Sequence, residues 1–582
     1  MIYASGRFIV VKNYNNPSEC FVYRGHALQA TVAKFSPNGY WVASADVSGK
    51  VRVWSWDNPE HLLKVEVPVF AGPVADLDWD NESKKIVAVG DGATSVAKVF
   101  QWDTGNSVGE IVGHRGRVLS VAYKPSRPFR IMTGGEDFMC CFYSGPPFKL
   151  DQSSNMHTNF VNCVRYAPNG SKIVSVGTDK KVQVYDGTSG APVHDIVNAH
   201  DGGIYGIAFH PSSTHFATSS ADKTIKIWNA ETYVCEQTIA VSADPQIRDA
   251  QLAVVWTRDG LFSVALNGDI VKFSTTGVER VIQSHQLGLT ALHVDRASQT
   301  VYSGSADGVV CVRGLESGPT YLDAAKLIGQ DKKHLPAGGH GGKIVGVVVD
   351  GDNVVSAGWD DKLRIASATT KQYHSEAALN GQPSWLAKSA TSDLVVVVTT
   401  AEVALFRGTT KTATLVVSTF PWTPTCAALL GEEEVAIGGT DNKTRIYSIA
   451  GSTFVERHIV ETRSAVSVVS YSPGGTLLAI GDAGRQVEVY ERGSWVAKVK
   501  GLWVFHTSKI TALAWSPSGN LLASGSLDEN IFIWNINNTS VKTQIAFSHT
   551  GGVSGLDWTA DNKLISVGND GVLASWNVPA TA

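Results

Sequence analysis

His200-Asp-Gly-Gly-Ile-Tyr-Gly-Ile-Ala-Phe-His-Pro-Ser-Ser-Thr-His-Phe-Ala-Thr-Ser-Ser-Ala-Asp-Lys-Thr-Ile-Lys-Ile-Trp228 decides the fold of this chain. A histidine leads into an alternating apolar strand, a Pro-containing turn, a run of small residues, an Asp turn and a second alternating strand ending in Trp. Period-two alternation gives each strand one buried face, and the Pro and Asp clusters mark the turns between strands. The phrase recurs at His506…Trp515-Ser-Pro-Ser-Gly519…Ser524-Gly-Ser-Leu-Asp528…Trp534 and at His549…Asp570…Trp576. The steps from His114 to His157, His157 to His200 and His506 to His549 are each 43 residues, and degenerate copies fill the longer intervals at near-multiples.

A 40–45-residue period with four short strands per unit is the signature of WD-type β-propeller blades. Units start near 26, 70, 114, 157, 200, 243 and 285, then near 340, 382, 424, 465, 506 and 549, with a remnant at 1–23. The expected fold is therefore all-β: two tandem seven-bladed WD40 propellers, 14 blades of four antiparallel strands. The single irregular step, from His285 to His340, places the junction there, so the expected domains are 24–325 and 326–582 plus 1–23. Only six residues follow Trp576 and no strand precedes Met1-Ile-Tyr3. The expectation is a truncated N-terminus or an incomplete gene model, a last blade without an outer strand and an imperfect seam in the second propeller.

Within a blade, the His, a Ser/Thr four before the Asp, the Asp and the Trp six after it can form a buried hydrogen-bond chain. His200, Thr218, Asp222 and Trp228 make one set, His506, Ser524, Asp528 and Trp534 another, and His549, Ser566, Asp570 and Trp576 a third. A Ser-His-Asp catalytic triad is the rival reading, but an enzyme needs one nucleophile in one cleft and this combination repeats blade after blade. Where the pattern decays, at Ser48 and Arg313, packing alone should hold the blade.

Composition narrows the function. Charged residues are 18% and the net charge is −4, giving no electrostatic footprint for nucleic acid or anionic membrane. The longest apolar run, Leu394-Val-Val-Val-Val398, falls far short of the roughly 20 residues that span a bilayer. Seven cysteines without a Cys-x-x-Cys pair read as reduced, mostly buried thiols of a cytoplasmic protein, with Cys140 and Cys141 on opposite faces of a strand and one of them exposed. The histidines have no metal-site spacing, and Gly338-Gly-His-Gly-Gly-Lys343 lacks the first Gly and the Ser/Thr of a phosphate loop. No metal, cofactor or enzymatic activity is expected.

Surface loops remain as binding candidates. Lys124-Pro-Ser-Arg-Pro-Phe-Arg130, Glu136-Asp137-Phe138, Gly145-Pro-Pro-Phe-Lys-Leu150 and Asn159-Phe160 mix charge, proline and aromatics in the manner of a protein-binding patch. Phe129 and Phe148 are equally consistent with blade core.

Lys124-Pro-Ser-Arg-Pro-Phe-Arg-Ile131, Gly145-Pro-Pro-Phe-Lys149, Val69-Phe-Ala-Gly-Pro-Val-Ala-Asp-Leu-Asp-Trp79 and Gln251-Leu-Ala-Val-Val-Trp256 resemble the actin-interacting protein 1 family of WD-repeat proteins. The resemblance runs through nearly the whole chain. It implies a non-enzymatic, monomeric protein of the actin cytoskeleton that binds actin filaments and works with cofilin (actin-depolymerising factor) to sever and disassemble them and restrain regrowth. It also implies a contact surface on the first propeller, for which the matching loops offer Glu136, Asp137, Leu150 and Phe160; Arg127, Phe138 and Lys149 join them as candidates from the loop composition. Glu136 stands where relatives tend to have Asp, and Leu150 where they tend to have an aromatic. A generic WD scaffold for another complex is the alternative; a propeller enzyme would need a polar cluster at a central channel.

Overall fold

Each copy of the repeat folds as an antiparallel meander. The computed structural model describes residues 1–579 apart from 14–19, 59, 93–94, 242–244, 275–276, 283–286, 315–318, 322–338 and 420. In the blade that follows His200, Ile204–Phe209, His215–Ser220, Thr224–Asn229 and Cys235–Ala240 pair in chain order from the inside outward. Fourteen such sheets form, twelve of four strands and two of three, with no α-helix among the described residues. Second strands such as Lys172–Gly177 and Lys563–Gly568 are buried at five of their six positions, because neighbouring blades cover both faces.

The chain divides into Met1–Gln283 and Ser284–Ala582, each with seven sheets. The expected count stands, but the boundaries 24–325 and 326–582 plus 1–23 do not describe these units. The strand Ile2–Ser5 packs against Ala30–Phe35, which keeps 1–23 in the first unit, and Leu289–Asp295 packs against Val553–Ala560, which closes the second. The long step between residues 285 and 340 is extra chain inside the second unit, between the strands Pro319–Tyr321 and Ile344–Asp350. His285 itself lies outside the described residues.

The last sheet has three strands, Val553–Ala560, Lys563–Gly568 and Leu573–Asn577, yet the seam at its inner edge is closed by side chains. The Ser554 hydroxyl donates to the Leu289 carbonyl, and Asp557 accepts the Val294 N–H at 2.8 Å and an Arg296 N–H at 3.2 Å. These contacts are local versions of a ring-wide pattern. Hydroxyls of Thr425 and Ser467 reach the first carbonyl of the next inner strand at 2.7 Å, as does Thr290 at 2.5 Å. Trp79, Trp515 and Trp558 reach backward, donating their indole N–H to Lys34, Ser470 and Ala514 of the preceding blade at 3.3, 3.1 and 3.0 Å.

The buried chain expected in three blades is present in all three. Its direction follows from chemistry. A carboxylate only accepts, so His506 Nδ1–H donates to Asp528 (3.0 Å), Nε2 accepts the Ser524 hydroxyl (2.8 Å), and Trp534 Nε1–H donates to Ser524 (2.8 Å). His200, Thr218, Asp222 and Trp228 repeat it, as do His549, Ser566, Asp570 and Trp576. The His–Asp and His–hydroxyl links also form at His114, His157 and His340. Ser48 corrects the expectation of packing alone. There the acid has moved two residues upstream: His26 bonds Asp46 (2.7 Å) and Ser44 (2.8 Å), and Ser44 accepts from Trp54 (3.1 Å).

Cys140 and Cys141 do face opposite cores, one in each of two adjoining clusters, but neither is exposed. Burial pushes their thiols up to about 11 and about 12.

Two outcomes follow from these bonds. Replacing Ser554 and Asp557 together by Ala should speed amide exchange in Leu289–Asp295 and Val553–Ala560 while leaving the first unit's exchange unchanged; undisturbed exchange at the seam would refute the latch. Burial alone would raise Asp528, but hydrogen bonds from His506 and the Thr507 N–H bring it down to about 2. Against about 3.9 in an unfolded chain, its stabilisation is complete above about pH 4 and is lost as pH falls toward 2. Asp528→Asn should therefore cost about 1–3 kcal/mol at neutral pH, with the gap to the parent closing below pH 4 in denaturant titrations. A gap constant down to pH 2 would remove the carboxylate from this role.

Candidate functional site

In eleven blades the described turns after the second strand share one backbone plan, and one of them breaks its chemistry. Three or four residues link second to third strand, the third in the left-handed region. Across the first unit that residue is Gly49, Phe138, Lys180, Lys223 or Gly268; across the second it is Gly308, Asp361, Asn442, Arg485, Glu529 or Gly571. Glycine adopts this conformation without strain, and the polar residues at the other positions are exposed or half-buried. Phe138, at φ +67°, is the one apolar residue among these eleven positions. A bulky residue with positive φ is uncommon and calls for a reason outside local propensity.

The surroundings hold it rigidly. Asp137 accepts from the His114 ring (3.0 Å) and from the Arg115 N–H (2.9 Å), and the Glu136 N–H donates to the Arg117 carbonyl (2.9 Å). Burial opposes ionisation of Asp137, but the Arg115 N–H and His114 hold its carboxyl below the ordinary range. Next door, Asp179 ties down His157 and the Thr158 N–H, and the Phe160 carbonyl accepts from Thr178. Phe138 and Phe160 are 39% and 42% exposed, with ring centroids 5.8 Å apart at 42°. Glu136 and Arg117 flank them at 3.9 Å from each other. The result is a pre-organised aromatic pair with a charged rim, built on rigid turns, as at protein-binding hot spots.

The remaining candidates are elsewhere. Antiparallel pairing joins Arg130 to Ser144 and Ser144 to Lys149 at one end of the sheet, and Gly134 to Cys140 and Cys140 to Ser154 at the other. Glu136, Asp137, Phe138 and Phe160 therefore share one face of the first unit, while Arg127 and Lys149 sit at the opposite edge. Leu150 is 41% exposed on the outermost strand, beside Gly113. Arg127 pairs with Glu82 and lies 5.1 Å from the Phe129 ring centroid, and Phe129 and Phe148 are core. Asp137 is corrected from a surface charge to an anchor of the turn.

Sequence reasoning missed a polar cluster at the first unit's channel. Buried Asp76 accepts from Ser120 (3.0 Å), the Val121 N–H (3.2 Å) and Arg165 (3.0 Å), with Lys34 at 3.3 Å. Burial alone would raise its carboxyl; Lys34 and Arg165 hold it at about 2. The two cations face Asp76 and Asp78, so the cluster is balanced and spans four consecutive blades. Among the described residues, no group of His, Cys, Asp and Glu could hold a metal, and no helix is long and apolar enough to cross a membrane.

A family model described as WD domain, G-beta repeat matches residues 18–55, 105–144, 149–186, 190–229, 499–535 and 540–577. With fourteen sheets and their His–Asp chains, this defines a tandem WD-repeat propeller protein. Over 99% of its length the chain is 35% identical to the 66 kDa stress protein of Physarum polycephalum, covering 94% of that protein. It is 35% identical to Actin-interacting protein 1 of Drosophila melanogaster, covering 93%, and 34% identical to WD repeat-containing protein 1 of Mus musculus, covering 94%. The chain belongs to the actin-interacting protein 1 family.

Phe138→Asn, a residue at ease in the left-handed region, should leave unfolding stability within about 1 kcal/mol of the parent or raise it. A marked fall in thermal midpoint would instead give Phe138 a core role.

Proposed function

We propose that this protein binds actin filaments through the Phe138–Phe160 face of its first unit and cooperates with cofilin to sever and disassemble them and to restrain regrowth from the cut ends. The observation that carries the reading is the exposed aromatic pair, with Phe138 kept at a left-handed position that the other ten described turns of this kind give to Gly or a polar residue. Membership of a family with a relative named Actin-interacting protein 1 supplies the partner. No covalent chemistry is required. A rigid surface that fits cofilin-distorted subunits better than regular ones shifts the filament toward its broken state by the difference in affinity. Glu136 and Arg117 would set orientation, and Asp137 would act by holding the turn.

Cosedimentation with actin filaments, with and without cofilin, tests this. The parent protein should pellet preferentially with cofilin-decorated filaments. Phe138→Ala with Phe160→Ala should weaken that binding at least tenfold, as expected when two hot-spot aromatics worth about 1–2 kcal/mol or more are truncated, and should slow filament disassembly in parallel. Unchanged pelleting and disassembly by the folded double variant would move the contact surface elsewhere; failure of the parent to bind under either condition would reject actin as the partner.

A further inference from the structure

The second unit contains an outer strand built unlike its counterparts. The other outer strands pair with their third strands in one register or with a single break, whereas Ala497–Trp503 breaks register twice. Val487 faces Trp503 and Val489 faces Val499, which sets Lys500, Gly501 and Leu502 opposite the single residue Glu488. Gly501, in the left-handed region at φ +72°, turns the extra residues out of the strand. Bulges at sheet edges re-aim side chains, and this one does so within a run of apolar and basic residues.

Contacts with the next blade hold the bulged segment in place. Trp503 is buried, stacks on Trp534 at 4.9 Å between ring centroids and donates its indole N–H to the Thr539 carbonyl at 3.0 Å. Phe505 lies 6.0 Å from the Trp534 ring, and the Lys542 ammonium sits 3.7 Å from the Phe505 centroid. This anchoring leaves Leu502, Val504 and Phe505 exposed to 56%, 47% and 49%. Lys498, Lys500 and Lys542 are exposed around them, and none of the three forms an ion pair among the described residues. Glu488, opposite the bulge, is buried and accepts from the Tyr490 hydroxyl at 2.7 Å, so its carboxyl does not offset them at the surface. Residues 493–509 include three lysines and no Asp or Glu, which fixes the sign of the surface as positive.

We propose that Lys498, Lys500, Leu502, Phe505 and Lys542 form a docking site for an acidic segment of a partner protein that carries Leu or Phe between its carboxylates. The rigid apolar side chains cover the partner's Leu or Phe, and the unpaired lysines at the rim meet its carboxylates. Charge complementarity selects this occupant: a basic or neutral apolar segment would leave three cations unanswered beside the contact. The surface belongs to the second unit and makes no use of Phe138 or Phe160.

The test uses the full chain and a fluorescein-labelled peptide, Asp-Glu-Asp-Leu-Phe-Asp-Glu-Leu, followed by anisotropy. One control peptide has Ser for Leu and Phe, and a second has Lys for the acidic residues. Saturable binding of the first peptide alone, weakened by added salt, is expected. Lys498→Glu, Lys500→Glu and Lys542→Glu together should weaken it at least about tenfold, three exposed charge contacts being reversed at once, with circular dichroism and thermal midpoint unchanged. Arg at the same three positions should retain binding, and Leu502→Ser should weaken it. Phe138→Ala with Phe160→Ala should bind the peptide as the parent does, which separates this surface from the actin reading. No saturable binding, equal binding of either control, or indifference to charge reversal would overturn the proposal. So would capture of phosphatidylserine vesicles, sensitive to charge reversal, without binding of the peptide, because the surface would then belong to a membrane.

Discussion

An aspartate at the turn between second and third strands is the constraint on which the well-formed blades depend. Its carboxylate pulls in a histidine from the loop that enters the blade, and that histidine in turn orients a Ser or Thr in the sheet and, in four blades, a Trp beyond it. The chain crosses the blade, so loop, second strand and third strand are fixed by one polar thread. Buried polar groups of this kind cost stability when half satisfied and confer a unique geometry when complete. The same carboxylate at Asp137 fixes the turn that displays Phe138, which ties the proposed binding surface to the blade's internal chemistry.

Much of this was legible because a repeat gives many readings of one message. The 43-residue histidine steps and the alternating strands were enough for blade number and type. At Ser48 the reading failed because the acid had moved two residues and only geometry reveals that Asp46 reaches the same histidine. Domain limits failed for a different reason: intervals along the chain do not say which ring a terminal sheet joins, and that is settled by contacts such as Ser554 to Leu289, 265 residues apart.

The site was half legible. Neighbouring loops in sequence looked like one patch, but antiparallel strands send alternate turns to opposite edges, which separates Arg127 and Lys149 from Phe138 and Phe160. The signal that was available and unused lay in comparing turns in phase: Glu136-Asp137-Phe138 beside Thr178-Asp179-Lys180 and Ala221-Asp222-Lys223 marks the odd aromatic at once. The Lys34–Asp76–Arg165 cluster had no such signal, since it occurs once and its members are 42 and 89 residues apart.

That cluster has a mechanical consequence. An ionic spoke joining four consecutive blades ties together the arc that carries both phenylalanines. The surface that would grip is thus braced from within the channel, and load applied at the aromatic pair is shared by four blades rather than borne by one.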